Sequence, residues 1–559
     1  MTEQHYDVEM RLDVKVRMRD GVLLSADIYL PAAPGPFPTV LMRTPYSNNT
    51  DPMIEKARRL ANNGYACVIQ DCRGRWDSDG VYYAFHQEIE DGYDTQKWVA
   101  DQDWCNGRIG MTGASYGGAV QWLSAPLANE NVRCLVPSVM CADYYQGLMH
   151  PGGAFQLSVM MTWGMRTNGR TGQSIDYHNW TEVFRSLPVI DLAGVAGRDL
   201  EFWKDWLNHP NDDEYWDEVN IVGRWDDIKA PAFIMGGWYD LYSRDVFQEF
   251  QGMRSEGGSE EARQSRLIVG PWPHHLSASQ KTGDVDFGAN SVPDLDGEEM
   301  RWFDYWLRDE ETGILDEPPL RLFIMGINEW RDEHEWPLDR TDWQVWYLRS
   351  DGNANSLLGD GALSTDPPGD EPRDQFFYDP RFPVQTLGGG NCCSPEVVPW
   401  GPYDQRPAEM RNDVLCYTSA PMAQDMEVTG PIKVVLYAAT DGLDTDWTAK
   451  LVDVSPSGYA MNLCDGIIRA RYRDSFKEPE LLEPNQTYEY QIDVGVTGNV
   501  FKRGHRVRLE ISSSNFPRYD RNLNTGQDNG SSTEIRQAHQ EIFHSSARPS
   551  HIVLPVIPA

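Results

Sequence analysis

Apolar and polar residues alternate at the start of the chain. Val8, Met10, Leu12, Val14, Val16 and Met18 are separated by charged or polar neighbours, the period of a strand with one buried face. Asp20-Gly21 follows, a two-residue hairpin signal. VLLSADIYLP is the returning strand, so the chain opens with an antiparallel hairpin. The period then changes. PTVLMRTPY, YACVIQD, RIGMTG and VRCLVPSVM have the continuous apolar character of buried strands, and MIEKARRLANNG and DGYDTQKWVADQ between them have helical spacing. Gly64 supplies the stop of the first helix. Strands alternating with helices predict a parallel sheet with helices on both faces.

From 142 to 228 the pattern is helical and rich in aromatics, as in DLEFWKDWLNH and EYWDEVN, with no run of strand quality. The sheet resumes at APAFIMGGWYD and SRLIVGPWPHH, and EEMRWFDYWLRD is a further helix. After about residue 341 helices give way to short alternating runs such as GPIKVVLYAATDG and GHRVRLEISSS, separated by Gly, Pro, Asn and Asp. That pattern predicts a β-sandwich. The expected division is an α/β core in two pieces (1–141 and 229–340), a helical insertion (142–228) and a β-sandwich of the jelly-roll kind (341–559).

A chain of 559 residues exceeds the ~250–300 that one core supports, in keeping with that division. Its 85 acidic and 49 basic residues give a net charge of −36, which argues against nucleic acid or an anionic membrane as the main partner. The absence of a long apolar window or a signal-like start makes the cytoplasm the expected location. Nine scattered cysteines fit reduced thiols, and the adjacent Cys392 and Cys393, which lack a metal-ligand spacing, read as structural.

Against this background GMTGASYGGAVQWLSA raises a chemical possibility. Gly113-Ala114-Ser115-Tyr116-Gly117 is G-x-S-x-G, preceded by a strand and followed by a helix, as a nucleophile elbow requires. In so tight a turn, Cβ atoms at the glycine positions are expected to collide with the neighbouring strand and helix. A serine hydroxyl attacks only when a base takes its proton. His274 and His275 end a predicted strand, where sheet ligands gather, and Asp240 ends the strand before it as a candidate orienting carboxylate. The order Ser115, Asp240, His274 is that of α/β-hydrolases. The amide of Tyr116 is one candidate donor to an oxyanion. Tyr46, in the loop RTPYSNN, carries a phenol that either donates there or only packs.

RTPYSNN, QDCRGRWDSDG, GYDTQKWVADQDWCNGRIGMTGASYGG, GGWYD, GPWPHH and, near the end, GHRVRLEISSSNFPRYDRNLNTG together resemble the cocaine esterase and X-prolyl dipeptidyl peptidase family of serine hydrolases. The resemblance runs from about residue 10 to the end. It implies an α/β-hydrolase core, an inserted helical cap and a C-terminal jelly roll. It implies a triad of Ser115, Asp240 and His274, separating His274 from His275, and an oxyanion hole of the Tyr46 hydroxyl and the Tyr116 amide. It implies acyl-enzyme chemistry without metal or organic cofactor, on a small-molecule ester or amide, in a chain that forms a homodimer.

The family contains esterases, peptidases and acylases. Its α-amino-acid ester hydrolases hold the substrate ammonium with acidic residues just after the catalytic Asp; here Leu241, Tyr242 and Ser243 stand there. The cap offers Asp143, Asp176 and Glu182 as anions for a peptide N-terminus. GAFQLSVMMTWGM supplies bulky apolar side chains that belong either to the core of the cap or to a pocket for an apolar or aromatic acyl group. Phe155, Trp163, Trp238 and Leu241 are the pocket candidates. The expected activity is carboxylic-ester hydrolysis. Dipeptidyl-peptidase or amidase action is the alternative, and an inactive binding protein is the alternative of another class.

Overall fold

The structure, a computed structural model, describes residues 5–558. Ten strands form one sheet. β1 (Val8–Arg17) and β2 (Leu23–Pro31) make the opening hairpin. β3 (Phe37–Thr44), β4 (Ala66–Asp71), β5 (Cys105–Ala114), β6 (Val132–Ser138), β7 (Phe233–Gly237) and β8 (Arg266–Gly270) follow, and Leu320–Ile324 and Glu329–Glu333 close the far edge. The spatial order is β1-β2-β4-β3-β5-β6-β7-β8 and then the two closing strands. Every pairing from β4 through β8 to Leu320–Ile324 is parallel. β4, β7 and β8 are buried along their whole length, which is why they read as unbroken apolar runs.

Helix α1 (Asp51–Asn62) turns Ala57, Leu60 and Ala61 inward and packs, with helix Leu295–Arg308, on one face of the sheet. The opposite face is covered by α2 (Glu88–Ala100), α3 (Tyr116–Ser124) and helix Asp245–Glu256. Gly64, just past α1, has φ +85°, the left-handed conformation expected of a helix stop.

β1 departs from its predicted pattern in two ways. The hairpin loop has three residues rather than two: Met18 N–H donates to Val22 O at 2.9 Å, and Gly21 takes φ +92° within the loop. The apolar stripe is also only half used. Met10 and Leu12 are 46% and 59% exposed, whereas Val16 and Met18 are buried. β1 is an edge strand, and a register shift between Arg11 and Val14, with Asp13 at φ +54°, lets its first half run past the core.

Between β6 and β7 the chain forms only helices and loops, among them α4 (Leu157–Thr167) and helix Glu201–Asn208. Trp203, Trp206, Trp216 and Phe184 fill their interior. From Asp342 onward antiparallel pairings dominate, and the fifteen-residue strand Met426–Thr440 pairs along its length with three others, tying the layers of a β-sandwich together. The sandwich is packed hard against the rest. Met325 N–H donates to Gly498 O at 2.8 Å, and Phe155 N–H donates to Asp520, whose carboxylate is ion-paired to buried Arg469 at 2.7 Å.

Candidate active site

β5 runs into α3 through a single strained residue. Ser115 has φ +58° and ψ −124°, a conformation that costs a non-glycine residue on the order of 1–3 kcal/mol. It is held from both sides: Ser115 N–H donates to Ser138 O at 2.9 Å, and Ser115 O accepts from Gly118 N–H at 2.7 Å. The glycines around it are not equivalent. A Cβ on Gly113 meets the Gly117 backbone at 2.9 Å, and one on Gly118 meets Ser138 O at 3.0 Å, but one on Gly117 has only Arg43 O at 3.8 Å. The expected collisions therefore occur at Gly113 and Gly118 and not at Gly117.

Tyr116 begins α3, so its amide is among the N–H groups that a helix leaves without an internal acceptor. Its side chain anchors the turn. The Tyr116 hydroxyl donates to Glu88 at 3.1 Å and accepts from Phe85 N–H at 2.9 Å. Glu88 in turn pairs with the buried Arg43 of β3 at 2.7 Å. Burial pushes the Glu88 carboxyl up, and the Arg43 guanidinium opposes that rise.

The loop after β3 carries Tyr46. Arg75, fully buried, donates through Nε to Pro45 O at 2.8 Å and through Nη1 to Thr167 O and Gly169 O at the end of α4. One guanidinium thus clasps the Tyr46 loop to the cap. The indole N–H of Trp163 donates to the Tyr46 hydroxyl oxygen at 2.9 Å, and Tyr46 and Ser115 line the same pocket. Burial raises the Tyr46 phenol above its ordinary value, so it keeps its proton, although 37% of the residue's surface remains open.

The ends of β7 and β8 meet because two glycines let them. A Cβ on Gly237 meets Trp272 O at 2.2 Å, and one on Gly270 meets the Trp272 ring at 2.3 Å. Tyr239 N–H donates to Trp272 O at 3.0 Å, which stitches the loops carrying Asp240 and His274 together. Asp240 Oδ2 lies 2.7 Å from His274 Nδ1, and Asp240 Oδ1 accepts from Tyr242 N–H at 2.7 Å. Both residues are buried, whereas His275 turns outward toward Trp400. The Nε2 atom of His274 is buried without a hydrogen-bond partner.

Ser115, Tyr46, Tyr116 and Trp163 line one pocket together with Phe85, Leu148, Met160 and Tyr242. Phe85 and Trp163 stack with ring centroids 5.7 Å apart and planes 14° apart, and Tyr116 stacks on the same Trp163 at 5.9 Å. Among the described residues lining this pocket none carries a formal charge. Met160 stands three residues before Trp163 on α4, a spacing that marks a shared face; Phe85 and Tyr242 gave no comparable signal.

Three pocket candidates lie elsewhere. Phe155 is buried in the cap, edge-on to Trp203 at 5.3 Å. Trp238 donates its indole N–H to Phe323 O at 2.7 Å and stacks on Phe247. Leu241 lines, with Trp238, a separate polar cavity among core, cap and sandwich. Proximity to Asp240 in sequence does not carry these side chains to Ser115, because the chain turns sharply after β7. The cap acids lie apart as well. Asp143 caps the turn at Tyr145 and Gln146, and Asp176 and Glu182 are exposed.

The sandwich supplies the remaining wall. Its segment from Gly388 packs on the loop after β7, a Cβ on Gly390 meeting Asp240 O at 2.8 Å. Cys392 and Cys393 then enter the Ser115 pocket, and Arg166 of α4 holds Cys393 O at 3.1 Å. These two cysteines are disulfide-bonded to each other, which corrects the expectation of thiols throughout; the other seven are free and buried.

An elbow serine after β5, with a buried Asp–His pair in the loops that follow β7 and β8, defines a serine hydrolase of the α/β-hydrolase fold. The profile described as X-Pro dipeptidyl-peptidase (S15 family) matches residues 20–276, and that described as X-Pro dipeptidyl-peptidase C-terminal non-catalytic domain matches residues 312–553. The chain belongs to this family. It is 37% identical to the cocaine esterase of Rhodococcus sp. (strain MB1 Bresler), with 100% of each chain covered. Among solved structures, an α-amino acid ester hydrolase superposes with a TM-score of 0.85 at 26% identity, covering 100% of this chain and 98% of the other. An aminopeptidase from the marine sediment archaeon Thaumarchaeota archaeon gives 0.85 at 25% identity, covering 100% and 97%. No helix among the described residues is long and apolar enough to cross a membrane.

Proposed function

We propose that the chain hydrolyses carboxylic esters with an apolar or aromatic acyl group through an acyl-enzyme on Ser115. The observation that supports this most directly is the uncharged, aromatic lining of the pocket at Ser115. A dipeptidyl substrate or an α-amino ester brings an ammonium group that needs a buried anion, and the cap acids do not line this pocket. Full-length similarity to an esterase that acts on cocaine points the same way.

In the proposed cycle His274 Nε2 takes the Ser115 proton while Asp240 holds the imidazole by Nδ1. Ser115 Oγ attacks the carbonyl. The Tyr46 O–H and Tyr116 N–H receive the oxyanion. His274 then protonates the leaving alcohol, and water repeats the sequence on the acyl-enzyme. Hydrolysis of p-nitrophenyl butyrate, an aryl benzoate and a glycyl-prolyl anilide, each with wild type and Ser115→Ala, tests the proposal. Turnover of the two esters, lost in the variant, is expected. Turnover chiefly of the anilide would overturn the ester assignment.

A further inference from the structure

Beside the catalytic machinery the structure brings together two sulfurs and an imidazole. The sulfurs of Cys392 and Cys393 and a ring nitrogen of His274 all lie within 4.8 Å of one another. Asp240 occupies His274 Nδ1, so Nε2 is the nitrogen left without a partner, in a side chain that is 7% exposed. A histidine that donates Nδ1–H to a carboxylate and presents a free Nε2 lone pair is arranged as metal-ligating histidines are. Two thiolates and one imidazole form the donor set that a soft divalent ion such as Zn²⁺ prefers, with a fourth position left for water.

We propose that, once the Cys392–Cys393 disulfide is reduced, Cys392, Cys393 and His274 form an inhibitory site for Zn²⁺ or Cd²⁺. The chemistry balances with a phosphine reductant and water. The S–S bond breaks, phosphorus is oxidised to the phosphine oxide, and two thiols form. Metal binding then displaces both thiol protons and takes the Nε2 lone pair that would accept the Ser115 proton. In the disulfide form both sulfurs are blocked and no such site exists. The seven other cysteines are buried and do not compete. Ligand binding itself is independent of the proposed ester activity; only the inhibition rests on it.

The test is a titration of full-length protein with Cd²⁺, before and after phosphine reduction, read by thiolate-to-cadmium absorption in the ultraviolet. One equivalent bound only after reduction is expected. The same titration of Ser115→Ala separates binding from catalysis and should be unchanged. Zinc should lower ester turnover of the reduced enzyme by about tenfold or more, as loss of the general base His274 requires. For Cys392→Ser/Cys393→Ser the ratio of rates with and without zinc should be near one. Equal cadmium absorption without reduction, no new absorption after it, or undiminished binding in the double variant would each overturn the proposal.

Discussion

Trp163, from the cap, donates its indole N–H to the hydroxyl oxygen of Tyr46, from the hydrolase core, at 2.9 Å. A phenol oxygen that accepts this bond keeps its own proton free to donate elsewhere, and Ser115 lines the same pocket. The cap thus sets the direction in which a core residue donates.

Two substitutions separate those roles. Tyr46→Phe removes the donor and should lower kcat by about 10²–10³-fold, the usual cost of one oxyanion-hole donor. Trp163→Phe keeps the stack but frees the phenol to rotate; the loss of one hydrogen bond of about 1 kcal/mol predicts a fall of about fivefold. Steady-state kinetics on p-nitrophenyl butyrate decide it. Equal losses in the two variants would count against a positioning role for Trp163.

Asp240→Asn should be severe for a reason visible in its contacts. Tyr242 N–H already donates to Oδ1, so the asparagine oxygen takes that place and its NH₂ faces His274 Nδ1. The imidazole must then accept there and carry its proton on Nε2, where it cannot deprotonate Ser115. A loss of about 10⁴-fold in kcat is expected, with slowed labelling by a fluorophosphonate. A loss below tenfold would mean that Asp240 does not fix the tautomer.

The elbow glycines should behave differently from one another. Gly118→Ala drives a methyl into Ser138 O and should cost about 1–3 kcal/mol. Gly117→Ala meets nothing closer than 3.8 Å, lies in α3, and should be neutral or stabilising by up to about 1 kcal/mol. Denaturant melts of the two variants check this, and a larger loss at Gly117 would contradict it.

Asp71, at the end of β4, accepts from Asn48 N–H in the Tyr46 loop at 2.7 Å, and burial pushes its carboxyl up to about 7. The sign follows from that rise. Its contribution to stability is fully present below the unfolded value near 4 and is lost as pH climbs through about 7. A rise of this size is worth on the order of 4 kcal/mol. Asp71→Asn should therefore flatten the fall in melting temperature between pH 5 and pH 8. An equally steep fall in the variant would place the titrating group elsewhere.

Much of this was legible in the chain. Strands buried on both faces read as apolar runs, and an elbow has a fixed spacing, so Ser115 and the Asp240–His274 order emerged from local pattern. Tyr46 was a candidate from its loop, but a loop tyrosine has no period, and only the resemblance chose donation over packing. Phe155, Trp238 and Leu241 were misplaced because apolar character near a motif does not say which way a side chain turns. Cys392 and Cys393 were out of reach for a different reason: they are more than a hundred residues from His274, and only the docking of the sandwich brings them to it.

That docking also separates what must stay constant from what can vary. The Asp240–His274 pair and the strained turn at Ser115 follow parallel strands whose geometry is fixed by the sheet. One wall of the pocket at Ser115 hangs from a glycine-rich loop of the β-sandwich that packs on the backbone at Asp240. Exchanging the residues that follow Gly390 reshapes the space offered to a substrate without moving a single strand of the catalytic sheet. On the proposed function, selectivity would thereby be inherited from a part of the chain that need have no chemistry of its own.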